Sequence, residues 1–426
     1  MTKKTLPPMT TKTLPQQGTD WNTLGAQLAE LGSGDVDWRR GRTAVYVFNA
    51  GEDVLRVAKE AYALFQSENA LGPAAFPSLK RMESEVVSMG LALLQAPDGA
   101  CGNMTSGGSE SIFLAVKACR EAARAAGRDT RGGEIVLPRS AHPAFDKAAH
   151  VLDLRTVRVP VATDLRADPA AMADAIGDRT LMLVGSAPCF PYGLIDPIEA
   201  LAELSSARGL WLHVDACVGG YFAPFARMNG VALPAFDFSV PGVNTISADL
   251  HKYGYAAKGA STLFHRNEAQ RAFQVFEFDD WPAGGMTTPT AAGTRPGGAV
   301  ASAWAVMHYL GVEGYRAKTR AVTDTRERML REISQIEGLA PVGDPQLGLF
   351  AYGSFGPQAL DIYAVWGQLL KRGWFTGLLT EPRAIHLMLS PAHADFADEY
   401  LADLRAAVAE VRSTGATASD TRARYS

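Results

Sequence analysis

Four side chains in this sequence are of the types and in the order that would serve one flat, electron-poor ligand. Lys252 stands in Thr245-Ile-Ser-Ala-Asp-Leu-His-Lys-Tyr-Gly254, directly after His251 and just past a strand-like run, with small residues following. An amine held this way can condense with an aldehyde, and the aldehyde most often bound so is pyridoxal phosphate, an electron sink for carbanion chemistry. Most lysines are solvated surface charges, so the pair His251-Lys252 means little without its company.

That company begins at Asp215, at the end of the apolar run 210–214 in Gly209-Leu-Trp-Leu-His-Val-Asp215. A buried carboxylate is costly without a cationic partner, which a pyridinium N–H would supply. The alternative is a cap on the following helix, and the residues leave both open. Thr105-Ser-Gly-Gly-Ser-Glu-Ser111 precedes a helical run. Gly107 and Gly108 would let backbone approach a phosphate, with Ser109 and free N–H groups at the helix start binding the anion. Ser109 as a simple N-cap fits equally. The segment matches neither the Walker nor the dinucleotide pattern. His142, after the strand-like 134–137, is placed to stack on a heteroaromatic ring or to act as a hydrogen-bonded structural residue. The four features occur in order at strand or helix ends, where ligands of open α/β sheets gather.

The elements that must position them alternate. Helical spacing is expected over 22–31, 53–66, 77–95, 109–126, 142–152, 168–176 and 197–208, and strands at 134–137, 155–159, 180–185, 210–214, 244–248 and 261–265. That alternation predicts an α/β fold with a mostly parallel sheet covered by helices. A long helical stretch over 298–336, broken near Gly311–Gly314, leads to strand, helix, strand at 346–353, 361–372 and 384–390, and a closing helix at 394–412. The expected organisation is an N-terminal arm with a short helix (1–52), a large domain (53–310), a small C-terminal domain (311–412) and a loose tail (413–426).

The chain resembles the sphingosine-1-phosphate lyase branch of the group II pyridoxal-phosphate-dependent decarboxylases. The matching segments are 105–111, Ser140-Ala-His142, Phe190-Pro-Tyr-Gly-Leu-Ile-Asp-Pro197, His213-Val-Asp-Ala-Cys-Val-Gly-Gly220, Phe236-Asp-Phe238, 246–259 and Pro289-Thr-Ala-Ala-Gly-Thr-Arg-Pro-Gly-Gly298. Together they cover most of residues 45–315. The resemblance implies fold type I, the aspartate-aminotransferase-like architecture, with a seven-stranded sheet and a small C-terminal α+β domain. It also implies a homodimer with a composite active site. Lys252 would carry the cofactor as a Schiff base, Asp215 would pair with the ring nitrogen and His142 would stack on the ring. Gly107, Gly108, Ser109 and His251 would hold its phosphate, and Gly293, Thr294 and Arg295 would reach it from the neighbouring subunit. Tyr46 and Lys258 would bind a substrate phosphate, and Tyr46 is a candidate catalytic group.

One departure concerns the substrate. Where the family places a histidine near that phosphate, this chain has Gly72, and Ala74 replaces an aspartate, within Asn69-Ala-Leu-Gly-Pro-Ala-Ala-Phe-Pro77. The implied reaction is retro-aldol cleavage of a phosphorylated long-chain amino alcohol to a fatty aldehyde and phosphoethanolamine. The rivals are an amino-acid decarboxylase, a retro-aldolase for an unphosphorylated β-hydroxy amine, and a non-catalytic lipid-binding relative. Retention of Asp215, Lys252 and the phosphate loop argues against the last.

Composition fits a small-molecule enzyme. A chain of 426 residues can bury a large core, and a net charge of −4 provides no electrostatic footprint for nucleic acid. Four cysteines at 101, 119, 189 and 217 lack metal-ligand spacing, so free thiols and no metal are expected. No apolar run is long enough to span a bilayer, and the first residues lack a signal core, so a soluble cytoplasmic protein without the family's eukaryotic membrane anchor is expected.

Overall fold

The computed structural model describes residues 13–418; the first part of the expected arm and the last part of the expected tail lie outside them. Two compact units divide at Asp37/Trp38. In the first, helix α1 (Trp21–Leu31) starts at Asp20, whose carboxylate accepts the Thr23 N–H at 3.1 Å.

In the second unit the central sheet uses seven strands: β1 (Cys101–Thr105), β2 (Glu134–Pro138), β3 (Arg155–Val159), β4 (Thr180–Ser186), β5 (Trp211–Asp215), β6 (Thr245–Ala248) and β7 (Ser261–His265). Their order is β1-β7-β6-β5-β4-β2-β3, and only β7 runs against the rest. Both faces are buried. Ile135, Leu137, Met182 and Val184 face one core with Ile112, Val116 and Phe145, while Val136, Leu183, Leu212 and Ile246 face another with Leu201. Alternation along continuous apolar runs is what a sheet covered on both sides requires.

The covering helices are α2 (Glu52–Leu64), α3 (Pro77–Leu93), α4 (Gly108–Ala125), α5 (Ala144–Val151), α6 (Pro169–Asp174), α7 (Ile198–Arg208), α8 (Ala223–Met228) and α9 (Glu268–Ala272). A hairpin follows, β8 (Phe276–Phe278) with β9 (Met286–Thr288), and then α10 (Gly297–Ser334). The expected break in α10 falls at Gly311, whose φ of 53° only glycine adopts without strain. A second, antiparallel sheet of order β10-β11-β13-β12 joins β10 (Leu339–Pro341), β11 (Leu349–Ser354), β12 (Gly377–Thr380) and β13 (Arg383–Met388), flanked by α11 (Ile362–Lys371) and α12 (Ala397–Thr414).

Among the described residues, no helix is long and apolar enough to cross a membrane. The four cysteines are free thiols; burial pushes Cys119 and Cys189 up to about 12.

Candidate active site

The site forms at the carboxyl ends of β2, β5 and β6, against the start of α4. The strands stop in register, so the residues just past them converge on a cavity of about 370 Å³. Gly107, Gly108, Ser109, His142, Asp215, His251 and Lys252 all line it. The structure thus brings together the residues expected to hold the cofactor within one chain.

Asp215 ends β5 and is 7 % exposed. Its Oδ1 accepts the Cys217 N–H at 3.1 Å and the Ser247 hydroxyl at 3.4 Å. The capping alternative is met only by that local turn, because α8 does not start until Ala223. Behind Ser247, His213 Nε2 lies 3.2 Å from its hydroxyl and His213 Nδ1 lies 2.9 Å from Thr245 Oγ1. Burial lowers His213 to about 4, so it is a neutral member of this chain.

His142 lies in the turn before α5, which begins two residues later than its expected start because Pro143 occupies the N-cap position. Its Nδ1 accepts the Ala144 N–H at 3.1 Å. Burial, aided by the charge of Lys252, lowers its pKa against the opposing pull of Asp215 and Asp249. A neutral imidazole lining the cavity suits stacking on a flat ring.

Helix α4 begins at Gly108 with Gly107 as N-cap, so Ser109 sits inside the first turn and is not the cap. The helix's own hydrogen bonds start at the Glu110 N–H, which donates to Gly107 O at 3.0 Å. The N–H groups of Gly108 and Ser109 precede that ladder, as the first-turn donors of any helix do. A Cβ at Gly108 would lie 2.8 Å from Cys217 Sγ and 3.0 Å from the Asp249 carboxylate, so only glycine leaves this space.

Lys252 Nζ is 2.8 Å from Oδ2 of Asp249, a 2 %-exposed residue that sequence reasoning passed over. The signal was present: Asp249 precedes Lys252 by three residues, the spacing that brings side chains together in a helical turn. Burial opposes the Lys252 charge, but Asp249 outweighs it and holds the ammonium above the usual lysine range. Burial likewise opposes ionisation of Asp249, yet Lys252 and His251 hold its carboxyl below the usual range. His251 Nε2 is 3.7 Å from the same carboxylate, and its buried Nδ1 has no hydrogen-bond partner among the described residues.

Other expected residues lie off this cavity. Tyr46, at φ 65° and 46 % exposed, lines an adjoining chamber of about 670 Å³ that shares His142 and Phe190 with the first. Lys258 Nζ donates to Tyr46 O at 2.8 Å and His251 O at 3.3 Å. Although this ammonium is solvent-accessible in the single chain, the protein crowded around it lowers it to about 8, helped by the charge of Lys252. Gly293, Thr294 and Arg295 do not line the chain's own cavity; Thr294 Oγ1 accepts from Asn69 Nδ2 at 3.3 Å, and Arg295 is paired with Glu83. Glu110 joins the segment before them to the glycine loop: it accepts the Ser106 N–H at 2.6 Å and the Ala291 N–H at 2.8 Å.

The fit to pyridoxal phosphate is good on this chain's own features. The glycine-lined helix start suits a phosphate, the unpartnered His251 Nδ1 is available to it, and a buried carboxylate and an amine stand at the other walls. Fold and site define a pyridoxal-phosphate-dependent lyase of fold type I.

The chain belongs to the pyridoxal-dependent decarboxylase family, whose conserved-domain model matches residues 5–352. It is 41 % identical over 411 residues to a sphingosine-1-phosphate lyase of Arabidopsis thaliana, covering 95 % of this chain and 74 % of that protein. The solved structure of the Burkholderia pseudomallei sphingosine-1-phosphate lyase superposes with a TM-score of 0.90 at 37 % identity, covering 95 % of this chain and 94 % of that one. A Lactobacillus brevis glutamate decarboxylase shares the fold, with a TM-score of 0.83 at 20 % identity over 95 % of this chain and 96 % of that one.

Proposed function

We propose that this protein cleaves the Cα–Cβ bond of a phosphorylated long-chain 2-amino-3-hydroxy base, of the sphingosine-1-phosphate kind, to a fatty aldehyde and phosphoethanolamine. The observation that carries this reading is the near-full-length likeness to proteins named sphingosine-1-phosphate lyase, at 41 % and 37 % identity.

Bound pyridoxal phosphate supplies an electron sink for the pair left by the breaking bond. Lys252 would hold the cofactor covalently, Asp215 would pair with its ring nitrogen, and His142 would stack on the ring. Gly107, Gly108, Ser109 and His251 hold its phosphate. Lys258 and Tyr46 would orient the substrate phosphate, and the Lys252 ammonium would supply the proton to the substrate Cα. The chamber beside Tyr46 has apolar walls at Val45, Val161, Leu378 and Leu379, which suits a lipid-like substrate.

In this reading the enzyme is a homodimer, and Gly293, Thr294 and Arg295 of one copy complete the other copy's site. Their anchoring away from their own cavity supports it. The same reading takes 53–310 as the large domain and 311–412 as the small one, and the non-helical Gly311 within α10 supports that division.

Position 72 favours a second reading, a retro-aldolase for an unphosphorylated β-hydroxy amine, because glycine there removes a cationic contact to phosphate. The deciding experiment is a panel of phosphorylated and free amino alcohols and amino acids, with aldehyde and carbon dioxide measured separately. Aldehyde from phosphorylated bases supports the first reading. Aldehyde only from free amines supports the second, and carbon dioxide without aldehyde removes both.

A further inference from the structure

Lys252 is faced by charged or titratable groups from several elements. Asp249 and His251 share its turn, Asp215 and Cys217 come from the end of β5, His142 from the turn after β2, and Lys258 from the turn before β7. Of these, Asp249 lies at hydrogen-bond distance from Nζ, at 2.8 Å. Its carboxylate is 2 % exposed, and Oδ1 is buried without a hydrogen-bond partner among the described residues. A carboxylate so enclosed is costly unless a cation stays beside it. Among the described residues the other cationic candidate beside it is His251, at 3.7 Å, and burial lowers that imidazole's pKa.

We propose that Asp249 is a positioning residue, the counter-ion that holds Lys252 as an ammonium whenever its amine is not bonded to cofactor. This rests on the reading of Lys252 as the cofactor lysine and adds to it a way of storing a proton. When the substrate carbon is protonated, the Nζ–H bond breaks and its electron pair stays on nitrogen. The proton forms the new C–H bond at Cα, and Lys252 is left as the neutral amine. No oxidant or reductant enters. The ion pair also fixes the direction of the flexible lysine chain, so that the proton is presented from one side of the cavity. The raised Lys252 and lowered Asp249 pKa values agree with this geometry.

The test is made on the full-length chain freed of cofactor. Acetic anhydride labelling of Lys252 is followed against pH by mass spectrometry, with the exposed Lys80 as internal reference. Wild type is expected to label with a midpoint above that of Lys80. Asp249→Asn is expected to lower the midpoint by about one pH unit or more, so that labelling at pH 9 rises about tenfold. Asp249→Glu should restore part of the shift. Equal midpoints in wild type and Asp249→Asn would overturn the proposal. If that variant does not fold by circular dichroism, a wild-type Lys252 midpoint at or below that of Lys80 overturns it equally. Borohydride fixation of cofactor on wild-type holoenzyme separates the two claims. No label on Lys252 removes the cofactor reading, whereas a label with unchanged midpoints removes only the role of Asp249.

Discussion

Arg295 grips Glu83 with both terminal nitrogens, Nη1 to Oε1 at 2.7 Å and Nη2 to Oε2 at 3.0 Å. Glu83 Oε1 also accepts the Met104 N–H at 2.9 Å, so one carboxylate of α3 ties strand β1 to the 293–295 segment. Both side chains are mostly buried, and the fork geometry makes this the strong kind of ion pair. Arg295→Ala leaves Glu83 without its cation and is expected to destabilise the fold by about 2–3 kcal/mol. Urea denaturation checks this, and an unchanged midpoint would show the pair to be dispensable.

Asp215 is expected to matter for turnover far more than for folding. In the protein alone it accepts one backbone N–H and one hydroxyl at 3.4 Å, and removing it also removes a buried charge. Facing a pyridinium, the same carboxylate makes a charge-assisted contact worth about 3 kcal/mol, or roughly 100-fold in rate. Asp215→Ala should therefore lose about two orders of magnitude in kcat while its melting temperature stays near that of wild type. Near-normal turnover would remove Asp215 from the reaction.

Lys258 makes a pH prediction. Its ammonium is lowered to about 8, so it is charged below that pH and neutral above it. If it binds a substrate phosphate, kcat/KM for a phosphorylated substrate should fall as pH rises through about 8. Lys258→Arg should abolish that inflection, because guanidinium stays charged throughout the range. The same inflection in the arginine variant would assign it to another group.

Position 72 has room for a larger side chain. A Cβ there meets only Ala75 Cβ at 3.8 Å, and the backbone is not in the left-handed region. Gly72→His is expected to be tolerated and to raise the preference for phosphorylated over free substrate by about 10- to 100-fold, the effect of one charged hydrogen bond. The ratio of the two kcat/KM values reads this directly. A ratio that does not move would separate position 72 from phosphate recognition.

Much of the architecture was legible because burial leaves a local pattern. The run that became β4 is almost continuously apolar and the one that became β5 is mostly so, as strands covered on both faces are, and the break in α10 falls on Gly311. Strand β1 was not foreseen. Cys101-Gly-Asn-Met-Thr105 has weak strand propensity, and it is held by pairing with β7 and by Gln274 Nε2 donating to Asn103 Oδ1 at 2.7 Å. The β8–β9 hairpin and β12 escaped notice for the same reason, each being short and defined by its partner.

What the residues determined unaided was chemistry and order: an amine after a histidine, a carboxylate at a strand end, an imidazole after another, and glycines before a helix. Each of those signals is carried within about ten neighbouring residues. What only the tertiary structure decided was company. The sheet order brings the carboxyl ends of β2, β5 and β6 to one end of the sheet, and the fold excludes the 293–295 segment from its own chain's cavity. Those relations depend on distances between residues far apart in the chain, and no local run carries them.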